Sequence, residues 1–326
     1  MPSNLRCGLA LVCLWLVAPS AVAAEYPERP IRVVVPYAGA GTMDIAARIL
    51  FERVSQIVGQ PFLIENRPGA GGNIGIEQVA KSAPDGYTLV LGDPMTSLSA
   101  NVSLMPNLGF NPLKDLVPVG NFGTTGVAMI VTPSLQVKTL AEFVSYAKSR
   151  PGQLFYGSTG NGSPGHLNGE VFARLVGIKV VHVPYRVGGQ GTTDLLMGRV
   201  HFWLAQIPTR LEQVRNGQFR ALAIAGRERS VDLPDIPTIE ELGCGDFDAS
   251  SDYAVFAPAG LPSAVIERLY NAIEDAVRDE RVAANLRAAG LEPKLMDSAQ
   301  VTKTLQDQIR RWADIVKAAD IKVPGQ

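Results

Sequence analysis

Residues 35–44 read VPYAGAGTMD, and an altered copy, VPYRVGGQGTTD, returns at residues 183–194. The first copy follows the apolar run IRVVV and the second follows IKVVHV; each precedes a stretch whose apolar residues recur at helical spacing. The unit therefore reads twice as strand, glycine loop and helix start. At a helix start several backbone N–H groups lack intrahelical acceptors and the dipole ends positive, which favours a docked anion. Two such units in different halves constrain the chain to two α/β domains, each supplying one anion cradle to a shared cleft.

The remaining pattern agrees. Strand-type apolar runs occupy residues 31–35, 62–65, 87–91, 127–131, 154–156, 180–183, 201–204, 222–225 and 253–257. Helical spacing covers 42–58, 140–148, 167–176, 208–215, 262–278 and 299–318. Alternation of this kind predicts an α/β fold with largely parallel sheets. In the first helix Met43, Ala46, Ala47, Leu50, Val54 and Ile57 share a stripe that should cover a sheet face.

Of the 326 residues 46% are hydrophobic and 19% charged, with a formal net charge of -1. That balance suits a folded two-domain protein and gives no reason to expect nucleic acid or a membrane surface as partner. Arg6, the apolar run over residues 9–17 and the small residues Ala21, Val22, Ala23 and Ala24 form a secretory signal peptide over residues 1–24, cleaved after Ala23 or Ala24. The run is about half the ~20 residues that a membrane span needs. Cys13 precedes Leu14 rather than a small residue, so no lipid anchor is expected. Removing the leader leaves Cys244 as the sole cysteine of an exported chain, a loop thiol with no intramolecular disulfide open to it.

Enzymatic motifs fall short. Gly39-Ala40-Gly41 starts a dinucleotide fingerprint, yet Asp44 stands where the third glycine belongs, and Asp194 does the same after Gly189-Gln190-Gly191. Each acid can stabilise its helix start by about 0.3–1 kcal/mol, or fix the loop, or meet a ligand amine. Ser163 in GNGSPG lacks the glycine two positions earlier that a nucleophile elbow requires, because Asn161 is there. His166 and His201 have no metal-ligand spacing, and His182 reads as a core imidazole. Residues 158–163, STGNGS, offer Ser158, Asn161 and Ser163 as a third binding loop. The glycine-rich ENRPGAGGNIG lacks the Lys-Ser/Thr ending of a phosphate loop and reads as structural, with Asn73 as a helix cap. Trp203 and Trp312 read as core.

Longer stretches carry a family resemblance: ENRPGAGGNIGIEQVAKSAPDGYTLV, LFYGSTGNGSPGHLNGEVF, VHVPYRVGGQGTTDLLMGRV, RALAIAGRERSVDLPDIPTIEELG and FAPAGLPSAVIERL. In this order, over nearly the whole mature chain, they resemble the Bug-type periplasmic solute receptors of tripartite tricarboxylate transporters. The resemblance implies a two-domain periplasmic binding protein clamshell that closes over a small carboxylate and hands it to membrane permease subunits, as a monomer without cofactor or metal. In that fold the chain crosses between domains twice, here near Thr124 and Ser250, which divides it into residues 25–124 with 250–326 as one domain and 125–249 as the other. It implies a ligand carboxylate held by backbone N–H groups of Gly39, Ala40, Gly41, Gly189, Gln190 and Gly191, between Tyr37 and Tyr185 as walls. Thr42, Ser158, Asn161, Ser163 and Thr192 would add hydrogen bonds, with Asp44, His166, Asp194 and Gln206 completing the site. The chain departs from the family pattern at Gly39-Ala40-Gly41, where Pro-Gly-Gly is usual, and at His201, where an aspartate is usual and a change of charge near the cleft would follow. Ligand specificity therefore stays open among dicarboxylates, amphoteric acids and aromatic acids. The rival readings are a secreted α/β hydrolase and a solute-sensing adaptor for a membrane receptor.

Overall fold

In the computed structural model, residues 26–105, 107–185, 188–245 and 247–319 are described; the expected leader lies outside them. Among the described residues no helix is long and apolar enough to cross a membrane.

The chain begins with β1 (Ile31–Val35), α1 (Thr42–Val58), β2 (Phe62–Asn66), α2 (Asn73–Ala80), β3 (Thr88–Gly92), α3 (Ser97–Leu104) and β4 (Leu116–Thr125). It continues through β5 (Val127–Val131), α4 (Leu140–Lys148), β6 (Leu154–Ser158), α5 (Pro164–Leu175), β7 (Val180–Pro184), α6 (Gly188–Leu196), β8 (Phe202–Gln206), α7 (Leu211–Arg215) and β9 (Arg220–Ile224). It closes with β10 (Ser251–Pro258), α8 (Ser263–Arg278), α9 (Glu280–Ala288), β11 (Glu292–Asp297) and α10 (Ser298–Ala319).

These strands form two separate sheets, ordered β11-β4-β10-β3-β1-β2 and β7-β6-β8-β5-β9. The chain passes to the second sheet through the single residue Gly126 between β4 and β5, and returns between β9 and β10. The expectation of largely parallel sheets needs correction, because both are mixed. β1 runs parallel to β2 and β3, with Val33 level with Ile64 and Leu89, but β10 is antiparallel to β3 and β4. In the second sheet β6 is parallel to β7 and β8 while β5 is antiparallel to β8 and β9. The returning crossovers account for this: β10 and β5 arrive from the other sheet and insert against the direction of their neighbours.

β1 is all β-branched except Arg32 and lies under α1, whose stripe packs on it. α1 stops at Gly59, whose φ of 76° closes the helix in the left-handed conformation. Leu50 and Val54 on this stripe are fully buried with Phe51 and Phe62, whose rings stack at 4.9 Å; each such side chain contributes about 1.5–3 kcal/mol by leaving water. The second sheet has its own core, with Phe143, Tyr156, Phe172 and Phe202 between β6, β8, α4 and α5. A third cluster joins α3, α5 and α10 through Leu104, Met105, Leu167 and Trp312. Trp312 is thus core, as expected, with its indole N–H on the Met95 carbonyl at 2.8 Å.

Candidate ligand-binding cleft

Between the two sheets lies a cleft of about 1200 Å³. It is lined from the first sheet by residues 36–45, 68–72, Ile74, Asp93, Ser251 and Tyr253, and from the second by Thr159, Gly160, Asn161, Pro164, Gly165 and Asn168. Pro184, Tyr185, Gly189, Thr192, residues 203–206 and residues 208–210 complete that side, with Ala288 and Ala289 at the end of α9. The starts of α1, α2, α5 and α6 all contribute to this wall. Gly41, Gly72 and Ser163, at the N-caps of α1, α2 and α5, place no side-chain acceptor on the first-turn N–H groups. Four positive helix ends around one cavity make it a site for negative charge.

The first loop is fixed from within. Ala40 adopts φ 63°, a strained value for a residue with a Cβ, and its N–H donates to Asp44 Oδ2 at 2.9 Å. Arg48 holds the other carboxylate oxygen at 2.9 Å. Burial would lift the Asp44 pKa, but the bonds from Arg48, Ala40 and Asn66 outweigh it and keep the carboxyl below its usual range. Asp44 therefore fixes the loop, and the Ala40 N–H is already engaged by it. Gly39, Gly41 and Thr42 line the cleft beside it. Tyr37 also lines the cleft, its hydroxyl 2.9 Å from Ser97 Oγ and its pKa raised by burial.

The second copy folds differently. Gly189, Gln190 and Gly191 form the first turn of α6 rather than a loop before it. Gly189 and Thr192 reach the lining, whereas Gln190 is exposed outside it and Gly191 packs on Trp203, where a Cβ would meet the indole at 2.5 Å. Asp194 is also outside the lining: it accepts from Tyr185 Oη at 2.8 Å and Arg199 Nη1 at 3.1 Å. Burial and that bond push the Tyr185 phenol up to about 12. Tyr185 faces the cleft and stacks on Trp203 at 5.9 Å, so Trp203 serves as both core and wall.

In the third loop only Asn161 of the expected side chains reaches the lining. Ser158 is fully buried; its Oγ lies 2.6 Å from His182 Nε2 and accepts the Gly160 N–H at 3.1 Å. His166 is buried below the loop, accepting the Gly162 N–H on Nδ1 at 3.1 Å and stacking on His182 at 4.1 Å. Ser163 is buried too and stays off the lining. Ser158 and His166 brace the loop from beneath. Burial lowers His166 to about 4, and burial with the neighbouring His166 lowers His182 to about 3. His201 is not near the cleft: its Nδ1 accepts the Phe155 N–H at 2.9 Å and its ring stacks on Phe155, so the charge change expected there does not reach the site.

The sequence reading passed over several lining residues. The glycine-rich segment read as structural brings Gly69, Ala70, Gly71 and Gly72 into the wall; its Asn73 is the first residue of α2 rather than the cap, and accepts from Asn101 Nδ2 at 3.1 Å. Asp93 is buried at the cleft floor, accepting from Met95 N–H at 2.9 Å and Thr96 Oγ1 at 2.5 Å. Burial and neighbouring Asp252 raise it to about 7 against these bonds. Gln206, as expected, lines the cleft, and it accepts from Tyr253 Oη across the sheets at 3.1 Å. Arg210 is the sole cationic side chain among the described lining residues.

The model of the TctC family, described as the tripartite tricarboxylate transporter family receptor, matches residues 46–321. The chain belongs to this family. It is 36% identical to Protein BugT of Bordetella pertussis over 316 residues, 97% of each chain. Among solved structures, R. palustris Rpa4515 with adipate superposes with a TM-score of 0.85 at 33% identity, covering 91% of this chain and 99% of that one. MatC from Rhodopseudomonas palustris with bound malate gives 0.82 at 32%, covering 89% and 100%. The tricarboxylate receptor family and these neighbours are binding proteins, and the two sheets with a cleft between them are the two-domain clamshell of the periplasmic binding protein fold. This chain is a solute receptor of that kind.

Proposed function

We propose that the mature chain acts in the periplasm, after removal of the leader near Ala23 or Ala24, and captures a small organic carboxylate between its domains for delivery to the permease subunits of a tripartite transporter. It works as a monomer. One domain comprises residues 25–124 with 250–326 and the other residues 125–249. The carboxylate sits among the helix starts, against backbone N–H groups of residues 41–43 and of Gly189, with Tyr37, Thr42, Asn161, Tyr185, Thr192 and Gln206 around it. The observation that carries this reading is the convergence of four helix starts on one cleft, three of them without a side-chain cap. Two neighbours hold adipate and malate, both carboxylates, which supports the same ligand class. A hydrolase reading finds less support, since the Ser158–His182 pair has its hydroxyl fully buried. Ligand would favour the closed state by its preferential affinity for it.

Isothermal titration of the chain from Glu25 with mono-, di- and tricarboxylates tests this. The expected result is saturable 1:1 binding with the acid recovered unchanged. Ligand at about 100 times Kd should add roughly 2.7 kcal/mol to stability. No binding to any carboxylate would overturn the reading, and conversion of a panel acid would point to an enzyme.

A further inference from the structure

The helix starts account for one carboxylate and leave Arg210 without a task. The two acids of the described lining are both committed elsewhere: Asp44 to Arg48 and the Ala40 N–H, Asp93 to the Met95 N–H and the Thr96 hydroxyl. No described carboxylate stands within ion-pair reach of Arg210. Its Nη1 donates to the Thr209 carbonyl at 2.6 Å, its guanidinium carbon stands 5.7 Å from the centre of the Trp203 ring, and its buried Nε has no acceptor. Burial lowers its pKa. A half-buried cation of this kind is costly until an anion joins it, and its place over the Trp203 ring, which itself stacks on Tyr185, adds a cation–π attraction that favours this position before a ligand arrives.

We infer that Arg210 is the specificity-determining residue of the cleft, pairing with a second carboxylate at the far end of a dicarboxylate whose first carboxylate rests on the helix starts. The inference rests on the carboxylate-receptor reading above. Arg210 then selects against acids that end in a methyl or amide, because these leave the guanidinium desolvated and unpaired.

The test uses three matched pairs that differ only in whether the distal end is a carboxylate or a methyl: succinate and butyrate, glutarate and pentanoate, adipate and hexanoate. Each is titrated into the mature protein and into Arg210→Gln and Arg210→Lys, with melting curves confirming that the variants fold. The wild type should bind at least one diacid tenfold or more tighter than its monoacid, on the order expected for hydrogen bonds to a charged group. Arg210→Gln should bring that ratio to about one while changing monoacid affinity by less than about twofold, and Arg210→Lys should restore part of it, since the charge remains without the planar fork. Equal affinity of wild type for both members of every pair, or an equal loss of both in Arg210→Gln, overturns the role of Arg210 and leaves the receptor reading standing. Binding of acids with one carboxylate alone does the same. Failure of every carboxylate to bind removes both.

Discussion

A Cβ added to Gly71 would stand 2.6 Å from the carbonyl oxygen of Asn161. Gly71 belongs to the turn between β2 and α2 on the first sheet, and Asn161 to the loop between β6 and α5 on the second, so the two walls of the cleft meet backbone to backbone. Gly71→Ala should wedge them apart, and at φ 66° the new side chain also costs about 1–2 kcal/mol. Neither sheet's core is touched. Ligand affinity should fall about tenfold or more, while denaturant unfolding of the free protein shows a loss no larger than that backbone cost. Unchanged affinity would mean that capture does not need this contact.

Asp44→Asn removes the charge that Arg48 and the Ala40 N–H share. Hydrogen bonds to buried charged groups are worth about 1.5–3 kcal/mol, of which the exposed Arg48 end supplies little. A loss of about 1–2 kcal/mol in urea unfolding is expected, together with weaker ligand binding as residues 39–41 lose their anchor. Arg48→Ala should cost less than half as much on both measures.

The stacked pair His166 and His182 predicts acid sensitivity. Both folded-state pKa values lie below the usual 6.5, at about 4 and about 3, so the unfolded chain binds protons that the folded chain refuses. Their contribution is intact above about pH 6.5 and declines as pH falls through the window toward 4. Urea unfolding at pH 7.5 and pH 4.5 should differ by on the order of 2–3 kcal/mol from each ring, about 5 kcal/mol from the pair, and His166→Asn should shrink the difference.

Asp93 has the opposite sign. Its folded-state pKa is raised to about 7, so the folded chain retains a proton that the unfolded chain has lost, and its ionisation subtracts stability as pH rises from about 4 through 7. Asp93→Asn cannot ionise. Its stability relative to the wild type should therefore improve between pH 4.5 and about pH 7 and level off above that, whatever its value at the acid end. A flat difference would place the Asp93 carboxyl in its ordinary range.

The doubled strand-loop-helix unit made the α/β class, the paired domains and the cleft legible, because short apolar runs and glycine loops are local signals. β4 is hard to see in sequence because Pro118, Gly120 and Gly123 interrupt its apolar run. In the fold these glycines let neighbours approach: a Cβ would meet the Tyr270 ring at 2.4 Å from Gly120 and Leu291 at 2.4 Å from Gly123. β11, an edge strand of sequence EPKLMD, has too little apolar alternation to be seen. At the cleft, local sequence pointed to the loops that line it but not to which of their side chains reach the lining. Ser158, Ser163 and His166 are polar residues on a binding loop, and nothing short of the fold says that they face inward. Arg210 was hidden inside a predicted helix over 208–215, which the chain breaks into the short turn Ile207–Thr209 and α7. Gly71 was missed because its role depends on Asn161, 90 positions away in the other domain.

The most direct measurement is a crystal structure of the mature protein with whichever acid binds tightest in titration. The account predicts one carboxylate within hydrogen-bond distance of backbone N–H groups at the starts of both α1 and α6, with the acid enclosed between the two sheets. An acid bound outside the cleft, or held in it by side chains with those helix starts unoccupied, would contradict it.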